Sequence, residues 1–193
     1  LVVAVGSNAS PDVLRRKLGG QDIPAVVPVR VHGIAVGHSA HVSRRGYIAA
    51  APWHSPGSMI STTAAWLDSS QLADLDATEP NYRRITLSNN DFPVELTDIG
   101  DQPATFDIYD SVHGLLPDRS SGAPRAFVGQ QVLFDELAAT SSDTVWCGPA
   151  AEVCDRLADP ATARRITHQM RSNACTSGLD AVTSRREPAL QRS

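Results

Sequence analysis

The chain has 193 residues, of which 41% are hydrophobic and 20% charged, the proportions of an ordinary globular protein with room for a proper core. A net charge of −4 offers no basic face for nucleic acid, and no apolar run nears the roughly 18 residues of a membrane span. Cys147, Cys154 and Cys175 lack CxxC spacing, which fits neither a disulfide framework nor a zinc site and predicts reduced thiols in a cytoplasmic protein.

LVVAV (1–5) has the unbroken apolar run of a buried strand, and GSNASP ends it with turn formers. Pro11 is placed to start the helix PDVLRRKL, and Gly19, Gly20 and Asp22 break the chain again. Lys17, the only lysine, closes the run LRRK, which reads as a solvated face. From Val26 to Val42 the pattern is strand-like. Val29 and Val31 occupy odd positions and Ile34 and Val36 even ones, so Gly33 marks a bulge. An alanine-rich strand follows Tyr47, then the loop PWHSPGS (52–58), then a strand MISTTAAWL. Asp68 and Gln71 resemble a capping box for a helix at 69–78, which Pro80 stops. Strands are expected at 83–88, 93–97 and 104–110, and helices at 125–138, 149–158 and 160–173. The fold class is α+β, an antiparallel or mixed sheet or barrel followed by helices, with a loose tail at about 179–193.

Leu72, Leu75 and Glu79 lie at i, i+3 and i+7, the spacing of one helical stripe. Two members want a core, while the third is an acid that normally avoids one. Beside the turn Gly6-Ser7-Asn8, the segment Leu75, Asp76, Glu79, Tyr82 and Arg84 resembles the γ-glutamylcyclotransferase-like family over about residues 1–112. That family opens with Tyr-Gly-Ser-Asn after its first strand, and later carries an acid in a Leu-Asp-x-x-Glu segment. The resemblance implies a small β-barrel domain at 1–112; the remainder, 113–193, has no counterpart in it and reads from its own pattern as a helical C-terminal part packed on the barrel. It implies a small-molecule γ-glutamyl substrate whose α-amine attacks its own γ-carbonyl, releasing an amine and 5-oxoproline. No cofactor and no metal are implied.

An α-amine must be deprotonated to attack, and its reference pKa is about 7.7–8.0. A carboxylate in a poorly solvated site suits that task, and the resemblance implies that Glu79 is this general acid/base. Main-chain N–H groups of Val5, Gly6, Ser7 and Asn8 are then the receptor for a carboxylate or oxyanion, with Tyr82 and Arg84 as further substrate-binding residues. Three departures stand out: Val5 replaces the family tyrosine, Pro80 follows the acid where the family usually has glycine, and the step from Glu79 to Tyr82 is short. An alternative from another class is a non-catalytic member that binds a small ligand or a partner chain. The bland alternative for Glu79 itself is a solvated side chain paired with Arg83 or Arg84.

His38 and His41 resemble a metal pair, but i and i+3 on a strand point to opposite faces. His54 and His113 are expected in loops, and the segment at 117–127 reads as an ordinary connecting loop, with Arg119 and Arg125 as an alternative means of receiving an acidic substrate. GxSxG, GxGxxG and P-loop motifs are all absent. Asn8-Ala9-Ser10 has the form of a glycosylation acceptor, read here as coincidence for want of a secretory signal.

Overall fold

Six strands and six α-helices make an α+β chain in a computed structural model that describes residues 1–20, 25–97 and 102–183. Asp22 and most of the expected loose tail lie outside the described residues. The strands are β1 (Val2–Val3), β2 (Val26–Val42), β3 (Ile48–Ala65), β4 (Tyr82–Ser88), β5 (Val94–Leu96) and β6 (Thr105–Ser111). The helices are α1 (Pro11–Lys17), α2 (Ser69–Ala77), α3 (Gln130–Thr140), α4 (Ala150–Leu157), α5 (Pro160–Arg171) and α6 (Leu179–Thr183).

One sheet takes all six strands in the order β4-β6-β1-β3-β2-β5. β1 runs parallel to β6 through Val2 and Asp107, and antiparallel to β3 through Val2–Ala65 and Val3–Ala64. No pairing among the described residues joins β4 to β5, so the barrel is loose and open. Gly33 has φ 76°, and burial passes from Val29 and Val31 to Ile34 across it, as a bulge requires. The loop expected at 52–58 is instead continuous strand in β3. Its turn formers are outweighed by partners distant in sequence: the His54 amide donates to the Ser177 carbonyl at 2.8 Å, and Gly57 absorbs a left-handed φ of 80°.

The chain forms two compact units. The first comprises Leu1–Val36, Ala51–Val112 and Ser177–Ser193, and the second Gly37–Ala50 and His113–Thr176. In the first, Val3, Val31, Ile34, Phe92, Phe106 and Ile108 form one buried cluster, and Val2, Leu14, Leu18, Leu75 and Tyr109 a second. Leu14 and Leu18 lie four residues apart, so the amphipathic face of α1 supplies this second cluster. In the other unit, Leu133, Phe134, Trp146, Val153, Leu157 and Ile166 pack together. There α3 starts at Gln130, five residues later than expected, because the preceding segment is extended: Pro124 bridges Pro117 and Ala126 bridges Gly37. Pro160 at the first turn of α5 and Asp159 as its cap lie where the sequence puts them. All three cysteines are free, and no helix among the described residues is long and apolar enough to cross a membrane.

Candidate functional site

The site grows from two chain reversals in the first unit. After β1, Gly6 adopts φ 68°, a conformation that favours glycine, and opens a single 3-10 turn through Ala9 that presents Asn8. Pro11 then starts α1, whose buried Leu14 sets the angular position of Lys17 three residues on. The second reversal is the end of α2. Asp68 caps that helix by accepting from the Ser70 and Gln71 amides, while the Gln71 side chain accepts from the Asp68 amide. Leu75 is 1% exposed and holds the apolar face down, worth about 1.5–3 kcal/mol. The Thr78 hydroxyl and amide both donate to the Leu75 carbonyl, and Pro80 prevents another turn. Glu79 therefore emerges on the buried side, 9% exposed.

There Glu79 meets Asn8 and Lys17. The Lys17 ammonium donates to Glu79 Oε1 at 2.5 Å and to Asn8 Oδ1 at 2.7 Å, and Asn8 Nδ2 donates to the same Glu79 oxygen at 2.8 Å. A lysine ammonium only donates and a carboxylate only accepts, so the Asn8 amide has one orientation consistent with both neighbours. The three groups form a closed triangle in partial burial, with side-chain exposures of 20% for Lys17 and 11% for Glu79. Glu79 pairs with neither Arg83 nor Arg84. Arg83 bonds Asp110 at 2.9 Å and also pairs with Asp180, and Arg84 bonds Asp76 and Asp107.

A second network lies beside the triangle. The Tyr109 hydroxyl donates to Asp76 Oδ1 at 2.7 Å, and Arg84 grips both oxygens of Asp76 through Nε and Nη2 at 3.0 Å each while reaching Asp107 at 2.9 Å. Burial, then the Asp76 bond and charge, push the Tyr109 phenol well above its ordinary value, and the Glu79 charge acts in the same direction. Tyr109 is thus held protonated, as a hydrogen-bond donor to Asp76 within electrostatic reach of Glu79. The Arg84 bond first, and the Tyr109 bond with it, hold the Asp76 carboxyl below the usual range.

Of the residues singled out in the sequence, the fold joins Asn8 and Glu79 directly. Val5 packs against the first core cluster, Gly6 and Ser7 are exposed, Tyr82 is half-buried against the second cluster, and Arg84 is occupied by two carboxylates. Lys17 corrects the reading of LRRK as a solvated face; only the rarity of lysine here marked it. A cavity of ≈ 10 Å³, room for about one water, adjoins Asn8, Leu14, Thr63 and Leu75.

The second unit holds the histidines. His38 accepts from the Val128 amide at 3.0 Å and stacks on Phe127, whereas His41 bonds Ser39 Oγ at 2.6 Å and stacks on His113. Their separate surroundings agree with opposite strand faces. Arg119 and Arg125 line a cleft of ≈ 790 Å³ floored by Leu116, Trp146, Ile166 and Met170. Arg125 is paired with Glu136, and Arg119 donates to the Thr140 carbonyl. No cluster of three or more metal-ligating side chains occurs among the described residues.

No protein-family model matches the chain, and no curated protein matches it. Among solved structures it is similar to the solution structure of At5g39720.1 from Arabidopsis thaliana, at 18% identity over 72% of this chain and 82% of that one, with a TM-score of 0.47. It is similar to At3g28950.1 from the same plant at 18% identity over 72% and 76% of the two chains, TM-score 0.45. It is also similar to a solved γ-glutamyl cyclotransferase at 12% identity over 95% of this chain and 97% of that one, TM-score 0.46, and that is the family its Gly6–Asn8 and Glu79 motifs resemble.

Proposed function

We propose that the chain is a γ-glutamyl cyclotransferase-like enzyme acting on a small γ-glutamyl amide, with Glu79 as general acid/base. The observation that carries this reading is the 2.8 Å bond between Asn8 and Glu79, which brings together two motifs 71 residues apart. The α-amine of the glutamyl group attacks its own γ-carbonyl. Glu79 takes a proton from the attacking nitrogen and returns it to the departing amine, leaving 5-oxoproline. Holding one rotamer of the glutamyl chain supplies much of the rate, because nucleophile and electrophile belong to one molecule. Main-chain N–H groups from Val5 to Asn8 receive the α-carboxylate or the oxyanion; exposed Gly6 lets a ligand approach the backbone closely. Tyr82 and Arg84 complete the proposed substrate shell, Arg84 acting through Asp76, which it holds and which accepts from the Tyr109 hydroxyl. Lys17 occupies the proton-accepting oxygen of Glu79, so turnover requires that ammonium to move or to lose its charge.

The test is 5-oxoproline release from γ-glutamyl amines and γ-glutamyl dipeptides. Glu79→Gln is expected to lower turnover by at least about 100-fold; equal turnover by that variant removes Glu79 from the mechanism. A second reading, a non-catalytic ligand-binding protein, is favoured by the ≈ 790 Å³ cleft in the second unit. It requires thermal stabilisation by a small molecule with no 5-oxoproline release.

A further inference from the structure

From the triangle Asn8–Lys17–Glu79 we infer that the chain cross-links itself, the Lys17 amine acylated by the Asn8 side chain in an isopeptide bond formed with the help of Glu79. The parts of an amide exchange are already in contact. The nucleophile, Lys17 Nζ, sits 2.7 Å from the Oδ1 of its electrophile, and the Glu79 oxygen touches both the attacking nitrogen, at 2.5 Å, and the leaving nitrogen, Asn8 Nδ2, at 2.8 Å.

The step balances without any co-reactant. Glu79 takes a proton from the Lys17 ammonium, and the freed lone pair attacks Asn8 Cγ to form the Nζ–Cγ bond. In the tetrahedral intermediate Nδ2 is no longer conjugated and accepts the proton back from Glu79. The Cγ–Nδ2 bond breaks, the leaving ammonia carries away the remaining proton as ammonium, and Glu79 ends as it began. Nothing is oxidised or reduced. The positions of the two partners are set before reaction by the Gly6 turn and by the packing of Leu14 and Leu18, so little orientational freedom remains to be lost.

Composition supports the assignment. Lys17 is the single lysine among 17 basic residues, the others being arginine. For a partly buried ion pair with a carboxylate, arginine is the better partner, with its flat fork and weaker hydration. An arginine-built protein that keeps one lysine, against an amide and an acid, keeps the one cation that can become a nucleophile. Acylation also converts the cation on Glu79 into a neutral amide, which leaves the carboxylate without its ammonium partner. The cross-link stands on the geometry of the three side chains and does not depend on cyclotransferase activity.

The experiment is intact-mass measurement of the full chain under denaturing conditions, fresh and after prolonged incubation, followed by cleavage at arginine. The expected result is a mass below the sequence mass by one ammonia, with the peptide ending at Arg15 joined through Asn8 to the peptide beginning at Lys17. Lys17→Arg, which keeps the charge, and Glu79→Gln are both expected to show the full sequence mass. A wild-type chain that retains its full mass after incubation overturns the proposal, whether or not the variants fold. So does an ammonia loss that persists in Lys17→Arg, which is the signature of a succinimide at Asn8. 5-Oxoproline release measured on the same sample separates the two claims, since linkage without turnover and turnover without linkage are distinct results.

Discussion

Lys17 Nζ lies 2.5 Å from Glu79 Oε1 across 62 residues of sequence, in a place where both side chains are largely withdrawn from water. Exposed ion pairs are worth about 0–1 kcal/mol, and breaking a fully buried one costs about 3–5. This pair falls between, so Lys17→Met is expected to cost about 1–3 kcal/mol. A double-mutant cycle with Glu79→Gln, read by urea unfolding, checks it; the double variant should lose less than the sum of the singles. Using Asn8→Ala as the common background removes any contribution from acylation of Asn8.

The cap on α2 gives a second expectation. Asp68 satisfies two amides of the first turn and is itself capped in return, so Asp68→Ala should lower the unfolding midpoint, whereas Asp68→Asn should retain most of the stability. Thermal or urea unfolding of the three chains measures this directly. Because Glu79 follows two residues past the far end of α2, 5-oxoproline release should fall in Asp68→Ala as well.

Acid should destabilise the second unit. Burial lowers both His38 and His41 from 6.5 to about 4, with the Arg125 charge adding to the first and His113 to the second. The unfolded chain therefore binds more protons than the native one between these values, and stability rises with pH across the window. Their contribution is fully present above about pH 6.5 and lost as pH falls towards about 4, at up to roughly 3 kcal/mol per histidine. Urea midpoints at intervals from pH 4 to 7 should show this slope, and His41→Asn should flatten it. An unchanged slope in that variant would place the acid sensitivity elsewhere.

Two glycines offer a matched pair. Gly46 and Gly57 share a φ of 80°, but a Cβ on Gly46 would stand 1.8 Å from the Cys154 carbonyl oxygen, whereas one on Gly57 meets nothing within 4 Å. Gly57→Ala should cost about 1–2 kcal/mol of backbone strain alone. Gly46→Ala adds a clash with backbone and should cost several kcal/mol more, or prevent folding, as read by soluble yield and urea midpoint.

What could be read from sequence was what local chemistry controls. The Asp68–Gln71 capping box, the proline starts of α1 and α5, and the change of phase at Gly33 all depend on neighbours a few residues away. The withdrawal of Glu79 from water was legible only through the family resemblance: the Leu72–Leu75–Glu79 spacing alone left a solvated side chain open, and α2 ends at Ala77, two residues short of the acid. Lys17 was not. Its neighbours Arg15 and Arg16 make it look like part of a solvated run, and its partners are 9 and 62 residues distant. Tyr109 was missed for the same reason, since its bond to Asp76 spans 33 residues. The strand through Pro52 and Pro56 was hidden because turn formers are a local signal, while the Ser177 carbonyl that receives the His54 amide is far along the chain.

β2 and β3 each begin in one unit and end in the other, and the first unit also takes its last segment from beyond residue 176. Neither unit is therefore a continuous length of chain. A single crossover anywhere along the gene would divide at least one of them, so the pair must be inherited, exchanged or transplanted whole. A proteolytic nick between 112 and 113 would likewise not release a self-sufficient fragment, because the strand segments at 37–50 belong with the helices that follow the cut.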